Sequence, residues 1–414
     1  MKRRVVITGL GAITPIGQHK TELWSSLCNG KSGISDVTAF DTSNHDVRIA
    51  GEVKDFEPSK WFDVKQERRL DRFTQFAVAA AILAVEDSGI DFNKTDRTRA
   101  GTIIGTGIGG ILEIEAQHKI LLSKGPSRVS PFMIPKLMAN AAPGQIAIQF
   151  DIRATNFSII TACASGSHAI AEAFRSIRHG DTDVMIAGGT EATITPLCMG
   201  AFQNMKALSK KNDSPQKASR PFDKDRDGFV ISEGSGIIVL EELEFAKKRK
   251  AHIYAEILGY SMSHDAYHIA APHPKGNGAY KAMEDALKVS KLNREQISYI
   301  NAHATSTPMG DEIEVNAIKR LCGSHAKNLS VSSTKSMLGH QLGAAGGTET
   351  LICALILEND TIPPTINYEH PDPACCGLDF VPNETKQKKT EYVMSNSFGF
   401  GGHNISIVLG KFSN

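Results

Sequence analysis

Cys163 stands where sulfur chemistry is favoured. It sits in Phe157-Ser-Ile-Ile-Thr-Ala-Cys163-Ala-Ser-Gly-Ser-His-Ala169, between an apolar β-rich run and a helical run. A strand that turns abruptly into a helix puts its turn residue at the sheet edge and at a helix N-terminus. There the first backbone N–H groups lack intrahelical partners and the dipole favours negative charge. The pattern predicts an exposed nucleophile on a strand–turn–helix elbow, with a thiol pKa below the usual value of roughly 8.5. Ala164, Gly166 and Ala169 leave room for a substrate to reach the sulfur. A lone cysteine is more often a small buried hydrophobe; two histidines argue otherwise here.

His303 follows the apolar run 297–301 in Asn301-Ala-His303-Ala-Thr305-Ser-Thr307-Pro-Met-Gly-Asp311, with a helix expected from about Asp311 and acidic residues Asp311, Glu312 and Glu314 in its first turn. His340 follows the run 330–332 in Ser333-Thr-Lys335-Ser-Met-Leu-Gly-His340-Gln-Leu-Gly-Ala-Ala-Gly-Gly-Thr-Glu349. Each lies beyond a strand's C-terminal end, where open α/β sheets bind ligands. Three reactive side chains at equivalent strand ends can converge if two halves of the chain pack about a pseudo-dyad.

The elements that would position them alternate strand and helix, an α/β pattern. Strands are predicted at 5–8, 100–104, 157–161, 183–187, 236–240, 253–260, 297–301, 330–332, 391–394 and 405–409. Helices are predicted at 73–87 and 164–179, where Phe73, Phe76, Ala77, Ala80 and Ile170, Ala173, Phe174, Ile177 repeat at i, i+3, i+4, i+7. The halves echo each other: 81–107 with 281–307, 157–169 with 329–346, and 183–189 with 391–402. The expected organisation is a half over 1–250 carrying the cysteine and a half over 251–414 carrying both histidines, sharing one core because no Ser/Pro linker separates them.

The chain has 414 residues, formal net charge +1, 41% apolar and 22% charged residues, an ordinary globular balance that gives no basic excess for nucleic acid. Seven scattered cysteines form no disulfide framework and fit a reducing compartment, so a cytoplasmic location is expected. Lys2-Arg3-Arg4 before an apolar run imitates a secretory leader, but residues 5–17 are β-branched and interrupted by Gly and Pro, and read as a first strand and loop. No apolar run is long enough to span a bilayer, so no membrane insertion is expected.

Three motifs mislead. Gly105-Thr-Gly-Ile-Gly-Gly110 fits a dinucleotide fingerprint but leads to no second strand ending in an acid. Asp223-Lys-Asp225-Arg-Asp227-Gly228 opens like a calcium loop, yet its twelfth position is Gly234, so no metal is expected. His264, Asp265, His268 and His273 lack a partner that completes a zinc set, and read as a loop over an active-site mouth.

The motifs Thr161-Ala-Cys163-Ala-Ser-Gly, Gly188-Gly-Thr-Glu191, Ser219-Arg-Pro-Phe-Asp-Lys-Asp-Arg-Asp-Gly-Phe229, Asn301-Ala-His-Ala-Thr-Ser-Thr-Pro308, Ser333-Thr-Lys-Ser336 with Gly339-His340, and Asn396-Ser-Phe-Gly-Phe-Gly-Gly402 occur in this order over nearly the whole chain. In this the sequence resembles the β-ketoacyl-[acyl-carrier-protein] synthases of the thiolase superfamily, with the type II condensing pattern. The resemblance implies a duplicated, five-layered α/β/α/β/α fold, a homodimer, and decarboxylating condensation of an acyl-enzyme with malonyl-[acyl-carrier-protein] in fatty-acid elongation. No resident cofactor is implied; the substrate arrives on the phosphopantetheine of acyl carrier protein.

It further implies Cys163 as nucleophile, with the N–H groups of Cys163 and Phe400 as oxyanion donors. His303 and His340 would act as neutral donors to the enolate, Lys335 and Glu349 as a buried supporting pair, and Thr305 and Thr307 as contacts to the phosphopantetheine arm. Ile108 and Phe400 would guard the acyl pocket, Cys198 and Phe202 line it, and Met133 close it from the partner subunit. Carrier-protein docking would fall on Lys65, Arg68, Arg69, Arg128 and Lys206, with Arg72 in the same local basic cluster. Against the usual pattern, Met133 replaces Phe, Cys198 and Ala304 replace Gly, and His403 replaces Thr.

Overall fold

A computed structural model describes residues 3–413. All ten predicted strands form, and they join one sheet: β1 (Val5–Ile13), β2 (Ala100–Gly105), β3 (Asn156–Ile159), β4 (Val184–Glu191), β5 (Gly234–Glu242), β6 (Ala255–His264), β7 (Tyr299–Asn301), β8 (Ser330–Ser332), β9 (Tyr392–Gly399) and β10 (His403–Gly410). Their order is β8-β7-β9-β10-β6-β1-β5-β4-β2-β3. The first five strands run β3-β2-β4-β5-β1 and the second five β8-β7-β9-β10-β6, so each half repeats one topology. In each, three strands are parallel and the last is antiparallel to its neighbours. The halves meet where their first strands pair, β1 against β6, through Val5↔Ile257, Val6↔Glu256 and Ile7↔Ala255 only.

Helices complete five layers. α1 (Arg72–Ser88) covers the outer face of the first half, against β1, β4 and β5; α2 (Ala141–Phe150) packs beside it. α3 (Ser165–His179) and α7 (Ala345–Asn359) lie in the middle, each touching strands of both halves. α4 (Asn277–Ser290) and α5 (Pro308–Cys322) cover the outer face of the second half. α7 is apolar nearly all round, and its residues Ala345 to Leu357 are buried. That is what a helix sandwiched between two sheets requires.

Helix ends follow local chemistry. Asp71 caps α1 by accepting the Phe73 N–H, and Gly89 closes it at φ 64°. α5 starts three residues before the predicted Asp311, because Pro308 occupies its first position, where no N–H is needed.

Strand β1 continues five residues past its predicted end at Thr8. The glycines that read as breakers are close-approach residues: a Cβ on Gly9 would lie 2.1 Å from the Ala84 carbonyl oxygen, and one on Gly11 would lie 1.9 Å from that of Ala80. They let α1 sit directly on the strand. β3, by contrast, ends at Ile159, two residues early, because Thr161 already belongs to the elbow.

Candidate active site

The elbow between β3 and α3 is built from short polar links. Ala162 adopts φ 51°, a left-handed conformation uncommon for a residue with a Cβ. The Ser165 hydroxyl donates to the Ala162 carbonyl at 2.6 Å and accepts the Thr161 N–H at 2.8 Å, holding that turn. Gly399 packs on it so closely that a Cβ there would meet the Thr161 oxygen at 2.7 Å. Cys163 thus sits at the start of α3, as its sequence context predicts.

Two expectations about the sulfur are corrected. Cys163 is buried, at 6% exposure, and its thiol is pushed up to about 12. Burial is the main cause. The Lys335 charge and the N–H groups of Phe400 and Cys163 pull the other way without overcoming it, while Glu191 adds to the rise. A helix N-terminus stabilises a thiolate, but desolvation of the buried sulfur outweighs it. The resting group is a thiol.

His340 Nε2 lies 3.0 Å from Cys163 Sγ. Its backbone is fixed on both sides: its N–H donates to Val230 O at 2.8 Å and its carbonyl accepts the Ser232 N–H at 3.0 Å. The rings of His303 and His340 meet edge to face at 5.4 Å, and Phe229 and Phe398 wall them at 5.3 Å and 5.9 Å. Burial, then the Lys335 charge, hold both imidazoles well below their ordinary pKa; His340 further depresses His303. Both rings are therefore neutral at pH 7. Neither Nδ1 has a partner and both are buried, which favours the tautomer with the proton on Nε2. For His340 that proton faces the sulfur.

The Cys163, His303 and His340 ligand atoms all lie within 4.8 Å of one another, which shows how tightly the three groups converge. Asp223, Asp225 and His370 form a second such group. There Asp223 already accepts backbone N–H groups from Asp225, Glu369 and His370, and reads as a structural anchor.

Lys335 opens the short helix α6 (Lys335–Leu338), and its ammonium pairs with Glu349 on α7; both side chains are 2% exposed. Two further carboxylates, given no role in the sequence reading, fix the loops. Glu191, at the end of β4, accepts the Gly107 N–H at 2.6 Å, the Gly343 N–H at 3.0 Å, the Thr106 hydroxyl at 3.0 Å and the Ile108 N–H at 3.3 Å. Glu314, on α5, accepts the His303 N–H at 3.0 Å, the Ala304 N–H at 2.7 Å and Asn396 Nδ2 at 3.1 Å. Burial raises each to about 7, against the pull of those donors. The Gly188-Gly-Thr-Glu191 motif was the available signal for the first. Glu314 reads in sequence as an ordinary first-turn acid. Left-handed non-glycine residues follow both histidines, Ser306 at φ 68° and Leu342 at φ 47°, so each of the three site loops contains one.

A cavity of about 480 Å³ opens over these groups. Ile108, Phe202, Thr305, Thr307 and Phe400 line it, together with Asp265 and His268 from the loop expected over its mouth. The Thr305 and Thr307 hydroxyls lie 3.2 Å apart. Cys198 does not line the cavity, contrary to expectation: it is buried in the helix Pro196–Asn204, where Thr195 caps its N–H. Met133 is not in this chain's lining either; it starts the short helix Met133–Leu137. Lys65, Arg68, Arg69, Arg128 and Lys206 are exposed, and the Arg69 guanidinium lies 4.7 Å from the centre of the Phe132 ring. Arg72 drops out of the basic cluster, because it pairs with buried Glu233 at 2.7 Å and covers Phe76.

Comparison with known proteins agrees with this geometry. The family models described as beta-ketoacyl synthase, N-terminal domain and C-terminal domain match residues 2–246 and 254–369. The 3-oxoacyl-[acyl-carrier-protein] synthase 2 of Coxiella burnetii is 52% identical over 410 residues, 99% of either chain. A β-ketoacyl synthase from Burkholderia phymatum superposes with TM-score 0.93 at 34% identity over the full length of both chains. A type II PKS acyl-carrier protein in complex with its ketosynthase bound to the hexaketide gives TM-score 0.91 at 34% identity, again over both full lengths.

Proposed function

The chain belongs to the β-ketoacyl synthase family, and from that membership we propose how its residues divide the work. The enzyme is a 3-oxoacyl-[acyl-carrier-protein] synthase of the fatty-acid-elongating kind, joining an acyl group to a malonyl-derived unit. The observation that carries the assignment of roles is the contact of Cys163 Sγ with His340 Nε2 at 3.0 Å, at the base of an apolar cavity.

In the first half-reaction the Cys163 sulfur bonds to the acyl carbonyl carbon, the bond from that carbon to the carrier's phosphopantetheine sulfur breaks, and the thiol proton ends on the departing thiol. The raised thiol pKa means that the proton leaves as attack proceeds, with the N–H groups of Phe400 and Cys163 turned toward the negative charge that forms. In the second, malonyl-carrier protein loses carbon dioxide, its enolate carbon bonds to the acyl carbon, the bond from that carbon to Cys163 breaks, and the departing thiolate takes a proton from water. Neutral His303 and His340 donate to the enolate oxygen. Decarboxylation generates the carbanion, so no strong base is needed, and both rings are held neutral. Lys335 and Glu349 support the pair, Thr305 and Thr307 face the arm, and Ile108 and Phe400 gate the acyl pocket. The chemistry runs on side chains and the carrier's own arm.

The partner in this scheme is acyl carrier protein, as in the complex named above. Lys65, Arg68, Arg69, Arg128 and Lys206 would meet its acidic surface. A second copy of the chain would cover the unpaired edge of β3 and the exposed Phe132, Ile134, Ile148, Phe157 and Ile160, bringing Met133 toward the acyl end. A cytoplasmic location is proposed from the cysteine usage; no helix among the described residues is long and apolar enough to cross a membrane.

Intact-mass measurement after incubation with acyl-carrier proteins of graded length tests the core of this reading. One acyl adduct on the wild type is expected, and none on Cys163→Ala, which also loses condensation. Elongation retained by Cys163→Ala would overturn it. Reversing Lys65 and Arg69 to Glu is expected to raise KM for carrier-borne acyl groups and spare small thioesters. Equal loss with both substrates would remove docking from that face.

A further inference from the structure

The hairpin that carries Phe400 is closed by a histidine cluster that the proposed chemistry does not use. β9 ends at Gly399 and β10 begins at His403, and these two residues pair directly across the turn Phe400-Gly401-Gly402. His403 also pairs across to His264 on β6, and their rings meet edge to face at 5.1 Å. The His403 ring covers the turn, since a Cβ on Gly401 would meet its Cδ2 at 3.2 Å and its Nε2 at 3.3 Å.

Behind it stands His168, buried on α3, whose Nδ1 bonds the Thr161 hydroxyl at 2.7 Å in the elbow that presents Cys163. His403 thus borders the Phe400 turn and His168 borders the elbow, the two pieces of backbone whose N–H groups face the sulfur. His264 Nδ1 accepts the Ala266 N–H at 3.0 Å, which leaves the proton of its neutral ring on Nε2. Glu172, one turn along α3 from His168, pairs with Arg175 at 3.0 Å, and Asp265 is the carboxylate beside the His264–His403 pair. Its oxygens are already taken by Asn404 Nδ2 at 2.8 Å and the His273 N–H at 3.0 Å. The Asp265 N–H holds the Gly402 carbonyl at 2.9 Å, and the Gly401 N–H reaches Ile269 O at 2.7 Å.

We propose that His403 is a positioning residue for acylation: its neutral ring closes the Phe400 hairpin against the elbow, and protonation of His403 loosens that hairpin and slows transfer in acid. Like charges on paired strands at this spacing repel, and Asp265 beside them already has both oxygens in hydrogen bonds. Burial and the neighbouring imidazole already hold His403 below its ordinary value, and burial with His403 takes His168 to about 4. His403 therefore charges before His168 as pH falls. The catalytic histidines, held well below the ordinary range, charge later.

This inference rests on the acylation step proposed above, and the experiment separates the two. Acyl transfer to Cys163 from a small thioester is followed by intact mass between about pH 5 and pH 8, each protein normalised to its own rate at about pH 8. The wild type is expected to lose at least about threefold by pH 5.5, and His403→Gln less than about 1.5-fold, its acid limb moving down by about half a pH unit. Superimposable profiles overturn the proposal. No adduct on the wild type at any pH overturns the acylation reading instead. Should His403→Gln fail to fold, amide exchange in the wild type decides. Protection at Phe400–His403 is expected to fall in acid while the far part of the ladder, from Val393↔Leu409 to Asn396↔Ser406, keeps its protection. Uniform protection overturns the proposal.

Discussion

The loop after β2 and the loop after β7 occupy the same place in the repeated topology, and they are held alike while carrying different side chains. In the first half, buried Glu191 takes the Gly107 and Ile108 N–H groups. In the second, buried Glu314 takes those of His303 and Ala304. One loop presents an apolar gate and the other an imidazole. Glu191 reaches its loop from the end of a neighbouring strand, and Glu314 from the helix that follows its own loop. What the halves share is a way of satisfying backbone donors at a buried strand end. The side chain that projects from the fixed backbone is then free to differ.

The elbows differ more. In the first half β3 passes into α3 through a turn held by the neutral Ser165 hydroxyl. In the second, α6 is inserted between β8 and α7, and the crossing is held by the Lys335–Glu349 ion pair. This contrast gives the largest expected effect. Removing one partner of a buried pair strands the other, so Lys335→Met or Glu349→Gln is expected to cost about 3–5 kcal/mol in denaturant unfolding. Lys335→Met with Glu349→Leu should regain most of that stability and yet stay inactive in condensation. Ser165→Ala, its counterpart in the first half, is expected to cost only about 1 kcal/mol. Equal costs at the two elbows would break the contrast.

The sequence made the reactive centre legible because a cysteine and two histidines past strand ends keep their meaning locally. Strand positions were legible for the same reason, through runs of β-branched residues. Gly9 and Gly11 misled because a glycine that admits a helix backbone looks, in one dimension, like one that ends a strand. The charge state of Cys163 was not legible, since the groups around the sulfur, His340 and Phe400 among them, come from segments far along the chain. Glu191 and Glu314 were hidden for a related reason. Most of their partners are backbone N–H groups, which carry no residue-type signal, and those of Glu191 lie 83 residues away or more. Cys198 was placed in the acyl pocket by resemblance and is not among the residues that line this chain's cavity.

The two carboxylates allow the comparison between loops to be sharpened. Glu191→Gln and Glu314→Gln each turn an acceptor oxygen into an amide that faces backbone donors, so each is expected to cost about 1–3 kcal/mol. Their kinetic effects should part. Glu314→Gln frees the His303 loop, and should lower condensation while acylation of Cys163 persists in intact-mass assays. Glu191→Gln frees the Ile108 loop, and should change the order of preference among acyl chain lengths. Identical chain-length profiles in both variants would mean that the loops are not separate in function.

A smaller effect tests whether both anchors are buried as deeply as they look. Each carboxyl is raised to about 7 in the fold, above the ordinary 4.5 of the unfolded chain. The folded state therefore binds more protons between those values, and the contribution to stability is full below about 4.5 and lost as pH rises through about 7. Glutamine does not titrate, and the opposing contribution of the buried histidines is common to wild type and variant. The stability gap between wild type and Glu191→Gln, or Glu314→Gln, should accordingly be widest near pH 5 and narrow by pH 7.5, read from urea unfolding at each pH. A gap that widened with pH at one site alone would show that this carboxylate is stabilised as the anion by its donors, and that the two halves anchor their loops by different electrostatics.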